Sequence, residues 1–139
     1  MARTATQAST RLLALALPGI PESVPAARVH VRAALGLHGL VEYADDAEII
    51  TSELVTNAVQ HACASGTQTI GVTLTHSGSP AVVTIAVSDS SPHRPIRRDT
   101  RTGSEQGRGL QIVEALSAHW GRRTENGGKT VFAVLAREA

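Results

Sequence analysis

Apolar positions recur at helical spacing from Pro21 to about Leu37, where Val24, Ala27, Val31 and Leu35 form one stripe flanked by Arg28 and Arg32. Gly36 and Gly39 supply a stop for this helix. A second helix is signalled at Asp45, which is placed to cap it. Glu48 follows three residues later as in a capping box, and acidic charge suits the positive helix start. Ile49, Ile50, Leu54, Ala58 and Ala62 then carry an apolar face as far as Ser65-Gly66. Beyond that point the period changes. Residues 68–76 and 81–88 are rich in β-branched side chains and joined by Ser77-Gly78-Ser79-Pro80, which predicts an antiparallel hairpin. Gly107-Arg108-Gly109 opens a third helix with Leu110, Val113 and Leu116 inward. Residues 118–124 and 129–136 predict a closing hairpin around Glu125-Asn126-Gly127-Gly128.

At the start of the chain, Arg11 and the run Leu12-Leu13-Ala14-Leu15-Ala16-Leu17 predict a first strand ended by Pro18-Gly19. A secretory signal would need about 7–15 apolar residues, and no run approaches the roughly 18 of a membrane span. The expectation is a soluble, cytoplasmic protein that binds no membrane. Residues 1–10 are small and polar and are expected to fray, leaving 11–139 as one domain. The order strand, helix, helix, strand, strand, loop, helix, strand, strand predicts an α+β fold. It is a two-layer α/β sandwich in which about three helices cover one face of a mixed, mostly antiparallel sheet. Strand and helix do not alternate, which excludes a Rossmann pattern.

Composition narrows the function classes. The 139 residues are 42% hydrophobic and 18% charged, too apolar and too weakly charged for a disordered chain. The formal charge of +1 gives no strong field toward nucleic acid or an anionic membrane. The only aromatics, Tyr43, Trp120 and Phe132, are too scattered for a base-stacking surface. The lone cysteine, Cys63, excludes an intramolecular disulfide and fits a reducing compartment.

Three features carry candidate chemistry. Glu53, Asn57 and His61 recur every four residues, so they line one side of the second helix beside the apolar Leu54 and Ala58. Such a stripe is either a solvated hydrogen-bonding ladder or the wall of a wet cavity. Gly107-Arg108-Gly109-Leu110 begins a helix after a polar segment, a geometry that turns backbone amides toward phosphate. Asp89 ends a strand where the longest polar stretch, 89–106, begins. By itself it also reads as an Asx turn.

Together and in this order the three resemble the GHKL (Bergerat-fold) ATP-binding superfamily. Glu53-Leu54-Val55-Thr56-Asn57-Ala58-Val59-Gln60-His61 looks like its N box. Val87-Ser88-Asp89-Ser90-Ser91-Pro92 stands where the first glycine box belongs, and Gly107-Arg108-Gly109-Leu110-Gln111-Ile112-Val113 looks like the second. Trp120-Gly121 and the ending Gly128-Lys129-Thr130-Val131-Phe132 are similar to the anti-sigma factor serine/threonine kinases of that superfamily. The resemblance spans residues 10–136. One departure is plain: the usual Asp-x-Gly-x-Gly is here Asp89-Ser90-Ser91-Pro92, without either glycine.

The resemblance implies ATP and Mg2+ as cofactors. Asn57 would bind the metal and Asp89 would accept from the adenine amino group, while Thr130 would either assist there or be a plain strand position. The adenine would otherwise be packed by aliphatic side chains. Gly107, Arg108, Gly109 and Leu110 would hold phosphate through backbone amides, and Glu53 would be the catalytic base toward a serine or threonine hydroxyl. His61 either supports this site from behind or serves only the helix end. Arg94, Arg97, Arg98 and Arg101 in the polar stretch meet phosphate or an acidic partner, or are simply solvated. The implied partners are a sigma factor and an anti-sigma-factor antagonist, with no direct nucleic acid, and relatives that pair through their sheets imply a homodimer. The kinase reading stands beside a non-catalytic, ATP-dependent module that sequesters a partner. A histidine-kinase catalytic domain is a third reading, but the chain carries no dimerisation helix with a phosphoacceptor histidine.

Overall fold

The computed structural model describes residues 9–62, 68–78, 81–89, 105–125 and 128–136. Five strands and three α-helices follow in the order β1 (Ser9–Pro18), α1 (Ser23–Leu37), α2 (Ala44–Ala62), β2 (Thr69–Ser77), β3 (Val82–Asp89), α3 (Glu105–Leu116), β4 (His119–Glu125) and β5 (Gly128–Ala136). A single 3-10 turn, Val41–Tyr43, leads into α2. The strands form one sheet in the order β1-β2-β3-β5-β4. This is the expected α+β architecture. β1 starts at Ser9, two residues ahead of the expected domain start at Arg11.

The sheet was expected to be mixed, yet all four described pairings are antiparallel. The reason lies in the last hairpin. β3, α3 and β4 make a crossover that returns β4 in the same direction as β3, and β5 then inserts between them. Each strand of the pair therefore meets β5 rather than the other.

Alternation sorts the sheet into two faces, because successive strand residues point to opposite sides. Ile70, Val72 and Leu74 on β2, Val83, Ile85 and Val87 on β3, and Val131, Ala133 and Leu135 on β5 are buried against the helices. Leu13, Leu15 and Leu17 of β1 stand opposite Leu74, Val72 and Ile70 in register and extend this layer. The opposite face carries Thr73, Thr84, Ala86 and Phe132, all partly exposed.

α1 buries Ala27, Val31, Ala34 and Leu35, close to the predicted stripe. It runs through Gly36 and stops at Gly39, whose φ of 72° is the left-handed conformation a glycine adopts without strain. The Leu40 amide donates to the Leu35 carbonyl at 2.8 Å and the Gly39 amide to Gly36 at 3.3 Å, the paired bonds of a Schellman ending. Gly39 is the stop, and Gly36 is an exposed helical residue.

Asp45 does not cap α2. The helix already begins at Ala44, continuous with the preceding 3-10 turn, so no free helix end remains at Asp45. Its carboxylate instead accepts from Arg32 Nη2 at 2.6 Å, while Glu48 accepts from Arg32 Nε at 3.0 Å. The arginine hydrogen bond holds the Glu48 carboxyl below its usual range. Both partners are solvated, so the pair orients α1 on α2 more than it stabilises the fold.

One buried polar atom stands out in α2. The Thr51 hydroxyl is fully buried and has no hydrogen-bond partner among the described residues. An unsatisfied hydroxyl costs stability that an isosteric methyl does not. Thr51→Val is expected to raise unfolding stability by about 1 kcal/mol, read from the urea midpoint. A fall in the midpoint would mean that the hydroxyl has a partner.

Candidate functional site

Several element ends converge at one end of the sheet. β3 finishes at Asp89, which stands opposite Ile70 at the start of β2 and Lys129 at the start of β5. β1 finishes there too, with Pro18 opposite Thr69. β2, the next described strand after α2, begins at this end. The chain also leaves β3 here on the way to α3.

The positions on α2 follow from helical geometry. Glu48 contacts Arg32 and marks the edge of α2 that faces α1. Asn57 lies nine residues on, roughly 180° around the helix from Glu48, and Glu53 is roughly 140° away. α3 also packs on α2, so Glu53 and Asn57 occupy the edge toward α3 and away from α1. Both are half-buried, and the adjoining Leu54 and Ala58 are buried. The polar stripe is therefore walled in rather than spread over solvent.

Asp89 is 8% exposed, an unusual place for a carboxylate. It shares the helix-facing side of β3 with Val83, Ile85 and Val87, and it sits between Ile70 and Lys129 on the neighbouring strands. A buried acceptor beside the aliphatic side chains of Ile70 and Val87 has the chemistry to receive an amine from a flat apolar ligand.

Two expectations about the site are corrected. Thr130 pairs with Ser88 and shares its strand face with Phe132, away from the helices and from Asp89. The period of two in β5 requires this, because Val131, Ala133 and Leu135 are buried on the inner face. The inner position is Lys129. Sequence reasoning passed over it, although counting back from the apolar residues of β5 by twos would have found it.

The second correction concerns α3. The helix starts at Glu105, so Gly107-Arg108-Gly109 lies inside it rather than opening it. An α-helix leaves its first four amides without an internal acceptor. With Glu105 as the first helical residue the last of these is the Gly107 amide, which keeps an anion-binding position, while the amides of Arg108, Gly109 and Leu110 bond within the helix. The His61 side chain and residues 90–104, with Arg94, Arg97, Arg98 and Arg101, lie outside the described residues.

A family model, the histidine kinase-like ATPase domain, matches residues 17–135, from the end of β1 almost to the end of β5. The chain belongs to this family. Among curated proteins, none matches the chain. Membership in the histidine kinase-like ATPases supports ATP binding, usually with Mg2+, and a chemistry of ATP hydrolysis or kinase-like transfer. The residues present fit that ligand: a buried carboxylate for an amine, a half-buried amide for a metal and the first amides of a helix for phosphate. Among the described residues no cluster of three or more His, Cys, Asp or Glu side chains is placed to hold a metal by itself. Mg2+ takes one or two protein oxygens and the rest from phosphate and water. No helix of the described residues is long and apolar enough to cross a membrane.

Proposed function

We propose that this histidine kinase-like ATPase domain is a protein serine/threonine kinase that phosphorylates an anti-sigma-factor antagonist and also holds a sigma factor. The observation that carries the reading is Glu53, a half-buried carboxylate one helical turn before Asn57 on the same edge of α2. Bound ATP would supply the phosphoryl group, and Mg2+ would neutralise its charge. Asn57 would offer one oxygen to the metal, and the first amides of α3 would donate to phosphate oxygens. Glu53 accepts the proton of a serine or threonine hydroxyl brought within about 3 Å. Phosphoryl transfer needs this positioning and charge neutralisation more than covalent help.

A second reading, a partner-gripping module without transfer, is favoured by the run Asp89-Ser90-Ser91-Pro92, which lacks the glycines of the usual box. Incubation with labelled ATP, Mg2+ and candidate antagonist proteins separates the two. Label on a partner serine or threonine supports the kinase. ATP that raises the melting temperature without labelling any partner supports the module.

The metal role of Asn57 has its own test. Asn57→Ala is expected to weaken ATP binding about tenfold when Mg2+ is present and to leave binding in chelator nearly unchanged, as loss of one charge-assisted contact would do. Titration calorimetry in both buffers reads this. An equal loss in chelator would remove the metal assignment.

A further inference from the structure

We infer that Lys129 is a second base-reading residue, whose ammonium donates to the ring nitrogen beside the amine that Asp89 receives. The inference rests on the assignment of Asp89 to the adenine amino group and extends it. Three observations carry it. Lys129 is directly opposite Asp89 in the β3–β5 register. Residues so paired hold their Cβ atoms about 4.5–5.5 Å apart on one face, and this face is the helix-covered one, as the burial of Val87 and Val131 shows. Lys129 is itself half-buried, and among the described residues it takes part in no ion pair.

A half-buried lysine without a carboxylate partner among the described residues keeps its ammonium donors for an acceptor. The adenine edge has the matching order. Its exocyclic amine, a donor, is flanked on both sides by an acceptor nitrogen of the ring. A carboxylate and an ammonium on adjacent strands present the complementary order, acceptor then donor. No proton is transferred, so both charges persist through binding. Reading two adjacent groups also distinguishes adenine from a base that presents a carbonyl in place of the amine, because Asp89 would then face a second acceptor. Arg122 and Thr124 of β4 share the inner face with Lys129, but Arg122 lies over the Trp120 ring, 5.9 Å from its centroid. Among the described residues, Lys129 is the cation paired with Asp89 across the strands.

The test compares Lys129→Met with the unmodified protein on ATP, 1-deaza-ATP and 7-deaza-ATP, each of which lacks one of the two flanking nitrogens. Lys129→Met is expected to weaken ATP binding roughly tenfold, the value of a charged hydrogen bond. One deaza analogue should bind the variant and the unmodified protein equally, because the acceptor is already gone. That equality also shows that the variant is folded. Wild-type affinity of the variant for ATP would overturn the inference. So would a loss of the same size on all three nucleotides, which would place the ammonium on phosphate or in the fold. If the unmodified protein does not bind ATP at all, the adenine assignment of Asp89 fails first and takes this inference with it.

Discussion

Glu53→Gln is expected to lower phosphoryl transfer to an antagonist protein by about 10²–10⁴-fold while ATP affinity stays near its starting value. The substitution keeps shape and hydrogen bonding but removes the only property a general base needs, a lone pair that takes up a proton. Asn57 and the α3 amides are untouched, so binding and chemistry separate cleanly. A drop in rate with unchanged affinity marks an interaction made in the transition state alone. Glu48→Gln is the matched control. Glu48 lies on the α1 side of the same helix, hydrogen-bonded to Arg32, and its loss should leave transfer unaltered. Transfer at the original rate in Glu53→Gln would end the claim for Glu53, and the partner-binding module would become the better account.

The second large effect is on stability. Leu54→Ala is expected to cost about 2–5 kcal/mol, read as a lower urea midpoint with an unchanged slope. Leu54 is 1% exposed on the face of α2 that lies over β2, β3 and β5, with Ile50 and Ala58 one turn either side. Truncation removes apolar burial and leaves a cavity under the middle of the central helix. The neighbouring residue in sequence is Glu53, so any tilt of α2 into the cavity displaces the candidate base as well. Ile49→Ala, on the solvated side of the same helix, should change stability little. A comparable loss at Ile49 would show that α2 is not oriented as described.

The two substitutions bear on one design feature. A single helix carries the core on one stripe and the candidate chemistry on the next. Glu53 and Asn57 are held in place because Leu54 and Ala58 are buried beside them. Residues that touch no ligand thereby set the position of those expected to touch it.

Much of this was legible in the chain itself. The element order and the alignment of Glu53 with Asn57 beside the apolar Leu54 follow from periodicities of 3.6 and 2, which depend only on local geometry. That both are half-buried does not. Asp89 is legible from the period of two, since its inward direction repeats that of Val83, Ile85 and Val87. Capping was less legible. Asp45 and Glu48 fit a capping box in sequence, but a cation twelve or more residues earlier, Arg32, competes for both carboxylates. A local rule does not contain that competitor.

What the sequence by itself determined is therefore which residues form each element and which stripe of each is apolar, since both are properties of neighbours along the chain. Tertiary structure decided how those elements meet. The insertion of β5 between β3 and β4 made every described pairing antiparallel and set Lys129, not Thr130, beside Asp89. In a strand a shift of one residue exchanges the two faces. Periodicity gives the face that each residue takes, but which residues stand opposite one another is set by strands distant in sequence, and so it appears only when the sheet is assembled.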